Sequence, residues 1–534
     1  MNDMILYNGK IYTMAAEGER FEAMAVVGGR VSELGSGRSI LKKYGAGNAR
    51  AVDLHGKTVL PGFIDSHMHL LAYCESRRNV DLRSACSIGE LKELLRQRAE
   101  KTPPGKWIVG SGFDDEKFPD KKFPDKDVLD DVSRRHPVFV TRFCMHGHAA
   151  NSMAMELAGL KNRETGPTEN PAAAGRDGDP TGILWENAAV PVMRIIPDEL
   201  STYESKRNAI RRACRELSAF GITGITPIQG KECRAIEYLG IYQQLARSGE
   251  LPVRVYACFD EMPPFDMRSG FGDDMVKYGF YKIYSDGSLG SHTAALFEPY
   301  ADDPGNAGTL NHSPEEICRM VRKAYGAGLQ IGIHAIGDRG LDIALTALEK
   351  AYFGDPRPNQ RFRLIHAIVP TPSLIERMKK LPLILDVQPE FLSSDLDWIE
   401  KRLGKDRAKL SYPWGTYARN GLLMTGSSDS PVESFNPLLG IYSAVTRKDF
   451  RGNPEGGWNA AEKLSVYEAV SLFTRNAAYA SYEEDRKGTL EPGKFADFAV
   501  LDSDIFHVVP EAIKEIEVKQ TYLGGRLVFD GGNL

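Results

Sequence analysis

The stretch Leu60-Pro61-Gly62-Phe63-Ile64-Asp65-Ser66-His67-Met68-His69-Leu70 decides how the chain is read. An apolar opening followed by polar groups has the pattern of a buried strand whose last residues reach a site, and Pro61-Gly62 marks the turn into it. His67 and His69 are two apart, so on a strand both imidazoles point to one face and can share an ion without distorting the backbone. Alone, the pair is equally consistent with two unrelated polar residues at a strand end. The rest of the chain has to decide.

The two chain ends share a different texture. Between Met4 and Val59, short β-type runs (Ile5-Leu6-Tyr7, Lys10-Ile11-Tyr12-Thr13, Ala23-Met24-Ala25-Val26-Val27) are cut by Asn8-Gly9 and Gly28-Gly29, which is hairpin chemistry. The far end repeats it in Ala496 to Leu501, Val518 to Leu523, Gly524-Gly525 and Arg526 to Phe529. Neither segment is long enough to bury both faces of its own sheet. Residues 1–59 and 483–534 are therefore expected to pair into one small composite β-sandwich beside a central unit of residues 60–482.

Inside that unit, short apolar strands alternate with helical stretches, the mark of a parallel sheet with crossover helices. The expected strands are Phe63–His67, Ile222–Pro227, Val253–Cys258, Phe280–Tyr284, Gln330–His334, Phe362–His366, Leu383–Val387 and Leu422–Thr425. Ser313-Pro314-Glu315-Glu316 places a capping residue, a first-turn proline and a glutamate three on from the serine, with Gly326 and Gly328 closing that helix. Eight such units predict an α/β fold, a closed (β/α)8 TIM barrel, with chemistry at the strand C-termini. The segment at about 101–199, which includes the strand-like Val138-Phe139-Val140-Thr141-Arg142, is expected to be an insertion over the barrel mouth. Ser285 to Leu310 is a second irregular stretch that could cover the site.

Composition narrows the partners. At 534 residues, 42% apolar and 26% charged, the chain has the content of a globular protein with a sizeable core. It has no apolar run near the roughly 18 residues of a membrane span. The opening Met1-Asn2-Asp3-Met4 lacks a secretory signal pattern, so a cytoplasmic location is expected. A formal charge of −5 without a long basic run leaves no footprint for nucleic acid or an anionic membrane. A small-molecule substrate is the expected partner, with a homodimer left open. Seven scattered cysteines, never in a Cys-x-x-Cys pair, fit reduced thiols better than disulfides or a thiolate zinc site.

The last residues of the expected strands form a chemical set: His67 and His69 from the first, Lys282 from the fourth, His334 from the fifth, His366 from the sixth and Asp429 beyond the eighth. Four of only eleven histidines fall at these ends, and imidazole with carboxylate is the donor type a zinc-like ion prefers. Each member has a plainer reading: a satisfied core histidine, a lysine at a solvated strand end, an aspartate capping a turn. Jointly those readings become improbable.

Pro61-Gly62-Phe63-Ile64-Asp65-Ser66-His67-Met68-His69, Lys282-Ile283-Tyr284-Ser285-Asp286-Gly287-Ser288, His334-Ala335-Ile336-Gly337-Asp338-Arg339, His366-Ala367 and Ser428-Asp429-Ser430-Pro431 resemble the amidohydrolase superfamily, and within it the family 3 group related to N-substituted formamide deformylase. The resemblance covers nearly the whole chain. It implies one or two divalent ions, often zinc, with His67 and His69 holding one, His334 and His366 the other, and Lys282 bridging them as a carbamate. It makes Asp429 both a ligand and the general base. The implied reaction is hydrolysis of a carbon–nitrogen bond of amide type in a small molecule, by metal-activated water and without a covalent intermediate.

Arg142-Phe143-Cys144-Met145-His146-Gly147-His148-Ala149-Ala150-Asn151-Ser152 resembles the family's Arg-x-x-Gly-His-x-x-x-x-Asn-Ser, which makes His146 substrate-facing, although Met145 replaces the glycine. Asp338 either orients a ligand or caps its loop. Ile365 stands where relatives often carry a glutamate that bears on the support of His366. Two rival readings are a deaminase or cyclic-amide hydrolase acting on a heterocycle, and a ligand-binding regulator that has kept the fold without activity.

Overall fold

The computed structural model describes residues 3–45, 49–77, 79–142, 147–160, 181–197, 200–229, 235–263 and 266–532. It divides into two compact units, one of residues 1–70 with 207–534 and one of residues 71–206.

Eight parallel strands organise the first unit: β1 (Phe63–Met68), β2 (Ile222–Gln229), β3 (Arg254–Phe259), β4 (Val276–Tyr284), β5 (Ile331–Ala335), β6 (Phe362–His366), β7 (Leu383–Val387) and β8 (Leu423–Gly426). Each pairs with the next in sequence order, so the predicted barrel strands are all present, with their ends moved by a few residues. Between β8 and β1 the ring is drawn together by side chain and backbone. Ser66 Oγ lies 2.5 Å from Thr425 Oγ1, and just beyond the strands Asp429 N donates to His67 O at 2.9 Å and His69 N to Ser430 O at 2.7 Å. The capping box forms as read: Glu316 N donates to Ser313 Oγ at 3.2 Å and Ser313 N to Glu316 Oε2 at 2.9 Å, opening the helix Pro314–Gly326.

The chain ends build two sheets. One has the order Arg30–Gly35, Ala23–Val27, Met4–Tyr7, Arg50–Asp53; the other runs Arg526–Asp530, Val518–Leu523, Phe498–Leu501, Thr58–Pro61, Lys10–Tyr12, Arg20–Phe21. Phe498–Leu501 pairs antiparallel with Thr58–Pro61, so the late segment completes a sheet begun by the early one. Leu6, Ile11, Met24, Val59, Phe498 and Tyr522 fill the common core. Thr58–Pro61 then leads through Gly62 into β1, and a Cβ on Gly62 would stand 2.2 Å from Thr223 Cγ2, which is why the turn takes glycine.

The second unit opens at Leu71, ahead of the compositionally marked 101–199 segment. Its sheet has the order Ile183–Trp185, Gly147–Ala150, Val138–Arg142, Ile108–Phe113, Val80–Asp81, and the helices Ile88–Glu100 and Lys126–Val132 contribute Leu91, Leu95 and Leu129 to its own core. Asn151 ties the turn regions together, accepting from Val138 N at 2.9 Å and Ala154 N at 3.0 Å while donating to Ser133 O and His136 O. His146 lies outside the described residues. Among the described residues no helix is long and apolar enough to cross a membrane.

A buried ion triad fastens the segment after the barrel to β4: Glu483 meets Lys277 at 2.8 Å and also pairs with Lys487. Burial pulls the Glu483 carboxyl upward, but Lys487 and Lys277 outweigh it and hold the pKa at about 2. A carboxylate depressed in the folded state adds stability above its unfolded value, and that contribution fades as pH falls toward the folded value. Wild-type protein should therefore lose roughly 3 kcal/mol between about pH 4.5 and 2 that Glu483→Gln lacks, seen as converging urea midpoints. Parallel pH profiles for the two proteins would refute it.

Candidate metal centre

The β1 strand and the residue just past it deliver His67 and His69 to the C-terminal rim of the barrel, and the turn after β8 brings Asp429 to meet them. Nε2 of His67 and Nε2 of His69 each lie 3.2 Å from Asp429 Oδ1. Donors about 2.1 Å from one ion, at angles between 90° and tetrahedral, are about 3.0–3.4 Å apart, so this spacing suits a shared cation. Ligand atoms of His67, His366 and Asp429 all fall within 4.8 Å of one another. Lys282 Nζ at the end of β4 is 3.3 Å from His67 Nε2, and the His334 and His366 rings are 4.4 Å apart. All six predicted groups thus gather at one rim.

Their environment sets their charge. Burial, then the Lys282 ammonium, pushes His67 well below the ordinary imidazole value, and the same two causes bring His334 to about 4. His366 is lowered in the same way, by burial and then by His334. These imidazoles are neutral, the form that binds metal. For Asp429, burial acts upward, but the His67 and His69 imidazoles that face it hold it well below the carboxylate range, so it is an anion. Burial lowers Lys282 to about 7. The buried Asp429 Oδ1, faced by both Nε2 atoms at 3.2 Å, makes no well-aligned hydrogen bond, which is the environment of an oxygen that would hold a cation.

Two of the gathered residues sit in the left-handed region: Asp429 at φ 54° and His366 at φ 75°. Such residues cost on the order of 1–3 kcal/mol and persist where the surroundings over-determine them. At Asp429 the fixing group is Asp65, whose Oδ1 accepts from His67 N and Ser428 N, both at 3.2 Å, and whose Oδ2 accepts from Ser428 Oγ at 2.5 Å. One carboxylate thereby locks β1 to the Asp429 turn.

The hydrogen-bonded nitrogens of the two remaining histidines differ. His334 Nε2 meets Gly287 O at 3.0 Å, and His366 Nδ1 meets Gln388 Oε1 at 2.7 Å. Ile365 packs inward with Tyr256, Cys258 and Phe280, and the side-chain hydrogen bond to His366 comes from Gln388, just past β7. Gln388 escaped the sequence reading because an amide is not a metal donor, although it stands one residue past a predicted strand. Asp286 also went unread as a hub: it accepts from Ala295 N, Ile336 N and Gly337 N at 2.9, 3.1 and 2.9 Å and so fastens the loop after β4 to the end of β5. Of the two roles read for Asp338, the observed contacts are those of loop fastening, since its Oδ1 accepts from Phe297 N at 2.9 Å.

A parallel eight-stranded barrel that gathers imidazoles and a carboxylate at its strand C-termini defines the class of metal-dependent barrel hydrolases. The family model described as "Amidohydrolase family" matches residues 50–529, and the chain belongs to that family. It is 34% identical to the Bacillus subtilis protein YtcJ, over 98% of this chain and 99% of that one. It is 25% identical to the N-substituted formamide deformylase of Arthrobacter pascens, over 99% of each. Among solved structures it resembles an uncharacterized metal-dependent hydrolase from Pyrococcus horikoshii, with a TM-score of 0.78, 30% identity and coverage of 96% of this chain and 99% of the other.

The Asp65 lock predicts a metal effect from a residue whose hydrogen bonds come from peptide and hydroxyl groups. Asp65→Asn should lower the divalent metal retained after purification, with affinity falling about 10–100-fold, and should cost about 1–3 kcal/mol of stability. Metal analysis by mass spectrometry and urea unfolding read the two effects; unchanged metal content would separate Asp65 from the site.

Proposed function

We propose that the chain hydrolyses a carbon–nitrogen bond of amide type in a small molecule. In this reading His67, His69 and Asp429 would hold one divalent ion and His334 and His366 a second, and Lys282, as a carbamate, would supply an anionic donor to them. The observation that carries it is the approach of two imidazole nitrogens to one carboxylate oxygen at 3.2 Å, with Lys282 Nζ 3.3 Å from the nearer ring. Zinc suits this nitrogen-and-oxygen donor set. A bound divalent ion supplies an acidified water and polarises the carbonyl that is attacked.

The chain's own residues supply the rest. Lys282 is buried, and its lowered pKa of about 7 leaves a large fraction as free amine near neutrality. That amine can attack carbon dioxide, forming a nitrogen–carbon bond and releasing a proton, which replaces a costly buried cation with a two-oxygen anion. Asp429, held as an anion, is the group to take a proton from the attacking water and hand it to the departing nitrogen. His69 is the more exposed imidazole of the pair, with a side chain 28% accessible.

Asp429→Asn separates charge from backbone, because asparagine tolerates the left-handed conformation this position requires. It should keep the fold, and turnover should drop by about 10²–10⁴-fold. The name of the Arthrobacter relative makes N-substituted formamides the first substrates to assay. Cyclic imides and aminated heterocycles follow, as tests of the heterocycle reading. A protein with stoichiometric metal that turns over none of them would favour the binding regulator, and an active Asp429→Asn variant would remove Asp429 from the base role.

A further inference from the structure

Gln388 stands one residue past β7, 3% exposed, and both ends of its amide are engaged. Nε2 lies 3.0 Å from Asp386 O and 2.9 Å from Ser427 Oγ, while Oε1 lies 2.7 Å from His366 Nδ1. A backbone carbonyl can only accept, so the amide atom facing Asp386 O must be the nitrogen and the atom facing His366 must be the oxygen. Ser427 agrees with that assignment, because its hydroxyl donates to Val387 O at 3.3 Å and keeps a lone pair for Gln388. An oxygen opposite Nδ1 requires the imidazole proton there. The lone pair of His366 is therefore left on Nε2.

The frame that holds the amide is itself fixed. The Asp386 side chain meets Arg363 at 2.6 Å, and Arg363 donates on to Ser66 O at 2.8 Å, inside the strand that carries His67. The position before His366 offers no alternative support, since Ile365 is fully buried among apolar neighbours. On the far face of the imidazole, Phe391 stacks at 16° with centroids 5.9 Å apart and restricts ring rotation.

We propose that Gln388 is the positioning residue of the second ion site: an uncharged amide just past β7, it fixes the tautomer and the aim of His366. The inference rests on the two-ion reading given above and adds a residue that touches neither ion nor substrate. Because Gln388 both accepts from His366 and donates to the strand frame, its two jobs can be separated by substitution. Gln388→Glu keeps an oxygen for His366 and loses the donors; Gln388→Met loses both at similar length.

The test uses full-length protein freed of metal by chelation and titrated with Co2+, read by visible absorption and by competition with a chelating dye. The His366-dependent equivalent is identified as the one lost in His366→Ala. That equivalent should weaken about 10–100-fold in Gln388→Met and stay within a few-fold of wild type in Gln388→Glu, whereas both variants should melt at lower temperature than wild type. If Gln388→Met does not fold, Gln388→Glu decides alone: wild-type uptake despite a lowered melting temperature supports the role, and lost uptake overturns it. Unchanged Co2+ affinity in Gln388→Met, or affinities in both variants that fall together with stability, overturns the positioning role. Wild-type protein that takes up no Co2+ overturns the metal reading itself, a result distinct from either.

Discussion

The seam between the first and last barrel strands is the constraint on which the molecule depends. Two backbone hydrogen bonds cross it, from Asp429 N to His67 O and from His69 N to Ser430 O, and both involve residues of the candidate metal centre. Bringing the barrel ends together and assembling the His67, His69 and Asp429 group are thus one event. Asp65 makes the coupling rigid, since its two oxygens take three donors from both sides of the seam. A buried carboxyl so placed is raised by burial to about 7, yet it remains useful as an acceptor because its partners are peptide and hydroxyl groups.

Strain and burial are concentrated at the same rim. Asp429, His366 and Ala367 all lie at positive φ, and local bonds hold them there: Ala367 N donates to Ala335 O at 3.0 Å and Tyr417 OH to Ala367 O at 2.7 Å. These left-handed residues turn the chain at strand ends so that side chains point into the mouth instead of along the strand. Unfavourable local conformation is offset by the hydrogen-bonded frame beneath it.

That frame is polar where most barrels are apolar. Arg363 and Asp386 pair inside the ring with no solvent exposure, and Arg363 lies 4.6 Å over the Phe280 ring. Pairing and hydrogen bonding are what make such burial tolerable, because removing one partner would leave an uncompensated charge. In return the pair holds Asp386, whose carbonyl orients Gln388, whose amide orients His366. The side chains gathered at the top of the barrel are aimed from below by groups that are not themselves members of that set.

The sequence determined the periodic parts. Short apolar runs alternating with capped helices encode strands and crossovers locally, and histidine at a strand end is visible because strand period and residue type are both one-dimensional facts. The barrel, its strands, the sandwich from both ends and the six gathered side chains could all be read that way. What only the tertiary structure decided is which groups face which: that Asp65 spans to Ser428, that Gln388 and not a neighbour of His366 supports that ring, and that Asp338 fastens Phe297. Those pairings join residues 363, 22 and 41 positions apart, and contacts at such separations depend on strand register and left-handed turns, which no local pattern records.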